Sequence, residues 1–147
     1  MFYTHKAYLN AKGGPAVMLL THDVKRCIND SKAKSGQVTI ISTSGTTAVC
    51  LLENDATLQN EYLKHLCAQF DASSLESPAR RSHTGANKFH LMAAAAGINL
   101  TLAFDGGKLL SSPFHEVVVL DFEPKSGRRE FVISVVGEGG GQSAPSK

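Results

Sequence analysis

No apolar run in this chain approaches the ~20 residues of a membrane-spanning helix, which argues against an α-helical membrane protein. The opening Met-Phe-Tyr-Thr-His-Lys lacks the apolar core of a signal peptide, so a cytoplasmic location is expected. Charge of one sign is scarce. The formal net charge is +2, too little for the electrostatic footprint of a nucleic-acid binder, and no nucleic-acid or membrane partner is expected. The basic pairs Arg80-Arg81 and Arg128-Arg129 read as solvated surface. The cysteines Cys27, Cys50 and Cys67 are odd in number and show no CxxC spacing, so they read as reduced, buried thiols rather than a disulfide framework. No internal repeat is present.

What remains is a chain of 147 residues, a suitable length for one domain that buries a core without disulfide or metal staples. Its apolar fraction of 42% and charged fraction of 19% are those of a globular protein. Strands are expected over 2–10 and 16–20, paired with each other across the turn Lys12-Gly13-Gly14-Pro15. Thr21 reads as the N-cap of a helix over 21–32, with Asp23 in its first turn and Val24, Cys27 and Ile28 facing the core. A β-branched strand over 38–42 turns through hydroxyl residues into an apolar strand over 48–52. Asn54 or Asp55 then caps a helix with a core stripe of Leu58, Tyr62, Leu66 and Phe70.

An aperiodic loop is expected over 71–84. An alanine-rich helix follows over 86–96, stopped by Gly97. Ile98, Leu100, Leu102 and Phe104 alternate as a half-buried strand, and Asp105-Gly106-Gly107 is a hairpin turn. Strands over 116–122 and 128–136 should pair through the turn at 123–127. The domain is assigned to 1–137, and 138–147, with nothing to bury, to a disordered tail. The order predicts an α+β fold with a mixed, largely antiparallel sheet and helices packed on one face. Apolar residues on both parities of Val117-Val118-Val119-Leu120 suggest that the other face meets a second subunit.

The chemistry gathers around residues 42–55, where hydroxyls, a glycine and Glu53-Asn54-Asp55 adjoin core strands. A carboxylate at a strand end serves as a general base or hard-metal ligand, or is only a rim charge. Both readings of Glu53 stand, while Asp55 reads as a cap. His90, near the amino end of its helix, is either a metal ligand and proton relay or a structural histidine. His115 is a pocket-rim candidate, and His83 reaches His90 only if its loop folds back. Ser44-Gly45-Thr46-Thr47 suits phosphate recognition through N–H groups and hydroxyls, or is an ordinary turn. It lacks the lysine and spacing of a P-loop. No GxSxG supports a serine hydrolase built on Ser44, and Cys50 is the other nucleophile weighed.

These residues resemble the YjbQ-like family, sometimes called secondary thiamine-phosphate synthases. The resemblance runs from Leu20-Thr21-His22-Asp23-Val24 through Thr46-Thr47-Ala48 and Leu52-Glu53-Asn54. It continues in His90 with Gly97 seven residues on, in Gly107-Lys108-Leu109, and in the strand that ends at Gly137. Phe114 stands where the family has tryptophan, and Pro113-Phe114-His115 replaces its Thr-Trp-Gln. Ser44 and Phe122 occupy positions of family histidines, and Asp121 that of a glutamate, so the family's histidine-lined pocket is depleted here.

The resemblance implies a homotrimeric α+β subunit and a weak activity that joins a pyrimidine diphosphate to a thiazole phosphate. On it, Glu53 and His90 would be catalytic. Ser44, Thr46, Thr47, Asn54 and Lys108 would contact a small phosphorylated ligand. His90 and His115 would hold a divalent ion, zinc or magnesium, with His83 as a further substitute. The alternative is a non-catalytic ligand-binding or assembly protein with a degenerate metal site.

Overall fold

The computed structural model describes residues 1–71 and 86–139. Eight strands and three helices occupy them: β1 (Phe2–Ala11), β2 (Ala16–Leu19), α1 (Thr21–Ser31), β3 (Ser35–Ser42), β4 (Thr47–Glu53), α2 (Ala56–Asp71), α3 (Ala86–Ala96), β5 (Asn99–Asp105), β6 (Lys108–Leu109), β7 (His115–Asp121) and β8 (Gly127–Glu138). The α+β class and the antiparallel pairing agree with the sequence. The expected loop over 71–84 and most of the expected tail fall outside the described residues. Glu138, assigned to the tail, instead closes β8 opposite Ser35.

The strands divide into two sheets rather than one. The first has the order β1-β8-β3-β5-β6 and the second β2-β7-β4. Two expected pairings therefore give way. β1 pairs with β8 rather than β2, which itself pairs with β7, and β7 and β8 lie in different sheets. The turns at 12–15, 43–46 and 122–126 carry the chain between sheets instead of closing hairpins. Only β5 and β6 form the hairpin read from the sequence, and there Gly106 (φ 62°) and Gly107 (φ 76°) supply two consecutive left-handed residues.

β7 explains the division. Val117 and Val119 join one core with Val24, Ile28, Phe131 and Ile133, which belong to α1 and the first sheet. Val118 and Leu120 join a second core with Leu63, Leu66, Met92 and Ala93, which belong to α2 and α3. Alternate side chains of a strand face opposite sides. Both parities of the valine run are thus covered within one subunit, and the run requires no second chain. The outward face of the first sheet carries a hydroxyl rung, with Thr4 beside Ser134 and Thr39 beside Thr101.

Two helix details differ from the sequence reading. Thr21 is not the N-cap; Leu20 is, without a side-chain cap. The Thr21 hydroxyl instead accepts the Val117 N–H at 2.7 Å and donates to Glu116 Oε1, tying α1 to β7. In α2, Leu58 stays exposed while Gln59 is buried. A strict four-residue stripe drifts around a helix of 3.6 residues per turn, which turns Leu58 outward. Asp55 does cap α2, its Oδ1 accepting the N–H groups of Thr57 (3.0 Å) and Leu58 (3.3 Å).

Candidate functional site

β4 presents the candidate residues at its two ends. Its seven residues rise about 3.3 Å each, so Thr47 and Glu53 stand about 20 Å apart.

At the Thr47 end, the hydroxyls form a local network. Ser44 Oγ lies 3.0 Å from Thr46 Oγ1 and accepts the Thr46 N–H at 3.1 Å. Thr46 Oγ1 donates to Glu123 Oε1 (3.1 Å), and Thr47 Oγ1 to Asp121 Oδ1 (3.3 Å). Asp121 is fully buried and paired with Arg129 at 3.0 Å, while its Oδ2 has no hydrogen-bond partner. Thr46 and Thr47 are buried and committed to carboxylates. His90 packs here as well. A Cβ on Gly45 would stand 2.8 Å from its Cδ2, so the glycine makes room for the imidazole. Phe122 is buried in the second core.

At the other end, Glu53 Oε2 meets His115 Nε2 at 3.2 Å. β4 and β7 bring them together, since Glu53 and His115 are register partners. Gln59 donates to the Glu53 carbonyl at 2.7 Å, and the Asn54 N–H donates to the Phe114 carbonyl at 2.5 Å. Both contacts anchor this end of the strand. The second ring nitrogen of His115, Nδ1, is buried without a partner.

His115 also lines a cavity of about 470 Å³, which lies between α1, the β5–β6 hairpin and the β6–β7 loop. That volume is within the range of small-molecule sites. Lys25 and Lys108 reach it from different elements, and Ser111 and Ser112 border it. Neither ammonium enters an ion pair among the described residues. Two uncompensated cations on one cavity, with hydroxyls beside them, favour an anionic ligand.

The structure thus brings Glu53, His115 and Lys108 to one end of β4, with Asn54 adjoining, and Ser44, Thr46, Thr47 and His90 to the other. His90 and His115 do not share a site within the subunit. Among the described residues, no three His, Cys, Asp or Glu side chains are placed to hold a metal, so this donor set does not fit the implied divalent ion. His83 lies outside the described residues. Sequence reasoning missed Lys25 and Thr21. Their signal was present, since Thr21, Lys25 and Ile28 recur on one face of α1. Cys27 and Cys50 are poor nucleophiles at neutral pH: burial pushes Cys50 up to about 11, and burial followed by the Asp30 carboxylate does the same for Cys27.

Comparison with known proteins gives a consistent picture. Residues 5–138 match the family described as UPF0047 protein YjbQ-like. No curated protein matches. Among solved structures, a YbjQ-like protein of unknown function from Sulfolobus solfataricus P2 is 18% identical with a TM-score of 0.83, covering 94% of this chain and 99% of that one. An uncharacterized conserved protein of the YjbQ/UPF0047 family from Clostridium acetobutylicum is 17% identical with a TM-score of 0.80, covering 90% and 99%. A hypothetical protein from Aeropyrum pernix K1 is 14% identical with a TM-score of 0.79, covering 92% and 98%. At these identities the likeness speaks for the fold. No helix among the described residues is long and apolar enough to cross a membrane.

Proposed function

The chain belongs to the YjbQ-like UPF0047 family, and from that premise we propose that it is a binding protein for a small phosphorylated ligand held at the Glu53 end of β4. One observation carries this reading: Lys25 and Lys108, without carboxylate partners among the described residues, converge on a cavity of about 470 Å³. A phosphate at its mouth would meet both ammoniums and the Ser111 and Ser112 hydroxyls. Isothermal titration with inorganic phosphate tests it. Lys25→Ala and Lys108→Ala should each weaken binding about tenfold, the scale of one charge-assisted hydrogen bond. Added salt should weaken the parent's binding as well, because the mouth is open to solvent. Equal affinity in parent and variants would refute the assignment.

A second reading is catalytic, and the Glu53–His115 contact favours it. A carboxylate that orients an imidazole beside a cationic pocket is an acid–base pair in waiting. The reaction implied by the family resemblance is transfer of a pyrimidine from its diphosphate to a thiazole phosphate, with release of pyrophosphate. Lys25 and Lys108 would bind the phosphates, and Glu53 would hold His115 for proton transfer. Pyrophosphate release from these two substrates measures it. Glu53→Gln should abolish turnover while leaving the fold intact, and unchanged turnover would remove Glu53 from the chemistry. The separation of Glu53 from His90 along β4 favours the binding reading for a single subunit.

A further inference from the structure

The cavity is two-sided in its chemistry, and this bears on what the ligand carries besides phosphate. Its exposed mouth holds Lys25 and Lys108, whereas its depth is set by Ile28 (2% exposed) and Val117 (1%). Leu51 and Leu109, both half-buried, complete that inner wall. All four inner side chains are aliphatic. Among the residues described along the cavity the aromatic ring is the His115 imidazole, engaged by Glu53 through Nε2, and there is no Asn or Gln amide to pair with a base edge. A bare phosphate would meet the mouth and leave the inner wall wet. A sugar phosphate would press hydroxyls against side chains that offer no hydrogen bond. A heterocycle would find neither a stacking nor a pairing partner among these four aliphatic side chains.

Building on the phosphate-binding reading above, we propose that the ligand is a short alkyl phosphomonoester, with its phosphate between Lys25 and Lys108 and its aliphatic chain against Ile28, Leu51, Leu109 and Val117. This ligand class differs from the pyrimidine and thiazole implied by the family resemblance. Each of two elements supplies both a polar and an apolar residue to the cavity. α1 contributes one of each, Lys25 and Ile28, three residues apart on one helix face. β6 contributes the other such pair, Lys108 and Leu109.

Isothermal titration with methyl phosphate, butyl phosphate and glycerol 1-phosphate tests the proposal. Each methylene buried against the inner wall is worth about fourfold in affinity, so butyl phosphate, with three more methylenes, should bind roughly 60-fold tighter than methyl phosphate. Glycerol phosphate, similar in size but hydroxylated, should gain nothing over methyl phosphate. Leu51→Asn should lower the butyl-to-methyl ratio several-fold, because a polar amide then replaces part of the wall the chain packs against. That ratio is internal to each variant, so a partial loss of fold does not imitate the effect. Equal binding of methyl and butyl phosphate by the parent would overturn the aliphatic assignment and leave phosphate recognition standing. A butyl preference unmoved by Leu51→Asn would overturn the placement of the chain in this cavity. Failure of every phosphate to bind would overturn both readings.

Discussion

The Asp121–Arg129 pair is the most exacting place to test this fold. Asp121 closes β7 in the second sheet and Arg129 lies in β8 of the first, so their 3.0 Å contact joins the sheets. Their side chains are 0% and 7% exposed. Arg129 also donates to the Lys125 carbonyl at 2.6 Å and the Glu123 carbonyl at 3.4 Å, bracing the crossover between the strands. Arg129→Met keeps most of the aliphatic volume and removes every donor. Asp121 would then stay buried without its cation, with only the Thr47 hydroxyl and the Glu123 N–H against Oδ1 and nothing on Oδ2. Removing one partner of a buried pair costs about 3–5 kcal/mol, because the other charge is left uncompensated. Against a total of ~5–15 kcal/mol for a domain, that is a large fraction. Urea denaturation followed by circular dichroism would read it as a lower midpoint at constant slope. Adding Asp121→Asn should recover more than half of the loss, since an amide removes the charge at nearly equal size. A cost of less than about 1 kcal/mol for Arg129→Met would show that the pair is not a buried charge contact, and the account of how the sheets are joined would fall with it.

Three further outcomes are expected. The folded chain holds the Cys27 and Cys50 protons more tightly than the usual value of 9.0, so their contribution to stability is present below about 9 and is lost as pH rises toward about 11; urea midpoints at neutral and alkaline pH check the slope, and both thiols should resist iodoacetamide at neutral pH. Asp55→Ala removes the acceptor for two N–H groups of α2 and should cost about 0.5–2 kcal/mol, read from the thermal midpoint. Gly45→Ala places a methyl group against the His90 ring and should shift the His90 resonances in a proton–nitrogen spectrum, whereas Gly106→Ala, where a Cβ meets nothing within 4 Å, should leave them in place.

Local signals in the sequence were legible because they depend on a few neighbouring residues. The Gly106-Gly107 turn is one example. The Gly97 stop is another, where a residue at φ 105° returns its N–H to the Ala93 carbonyl at 2.8 Å. Strand partners were not legible. β1 lies against β8, with Phe2 opposite Val136, and nothing within either segment states that choice. Each short turn read as pairing its two strands could equally pass the chain to another sheet, and those at 12–15 and 122–126 do. The valine run in β7 misled for a related reason. Apolar residues on both parities report that both faces are covered, but not whether helices of the same chain or a second subunit cover them. In the site, Glu53 and His115 could be nominated from residue type and position, and Lys108 from the family resemblance. The docking of α1 that adds Lys25 depends on the Thr21 hydroxyl reaching Val117, a contact spanning 96 positions.

The polar residues around β4 look like one site in the sequence because they are close in number. A strand undoes that inference. On a helix, residues four apart stack within one turn, whereas each strand residue advances by about 3.3 Å and the two ends of β4 diverge. The environments at those ends then differ. At the Thr47 end, hydroxyls face Asp121 and Glu123, and the cation Arg129 is already paired. At the Glu53 end, Glu53 meets His115, Glu116 is engaged by the Thr21 hydroxyl, and two lysines open onto a cavity beside them. A phosphate would therefore be favoured by electrostatics at the end where the ammoniums of Lys25 and Lys108 have no ion-pair partner among the described residues, rather than at the end whose carboxylates already engage the donors around them. His90 belongs with the turn it packs against.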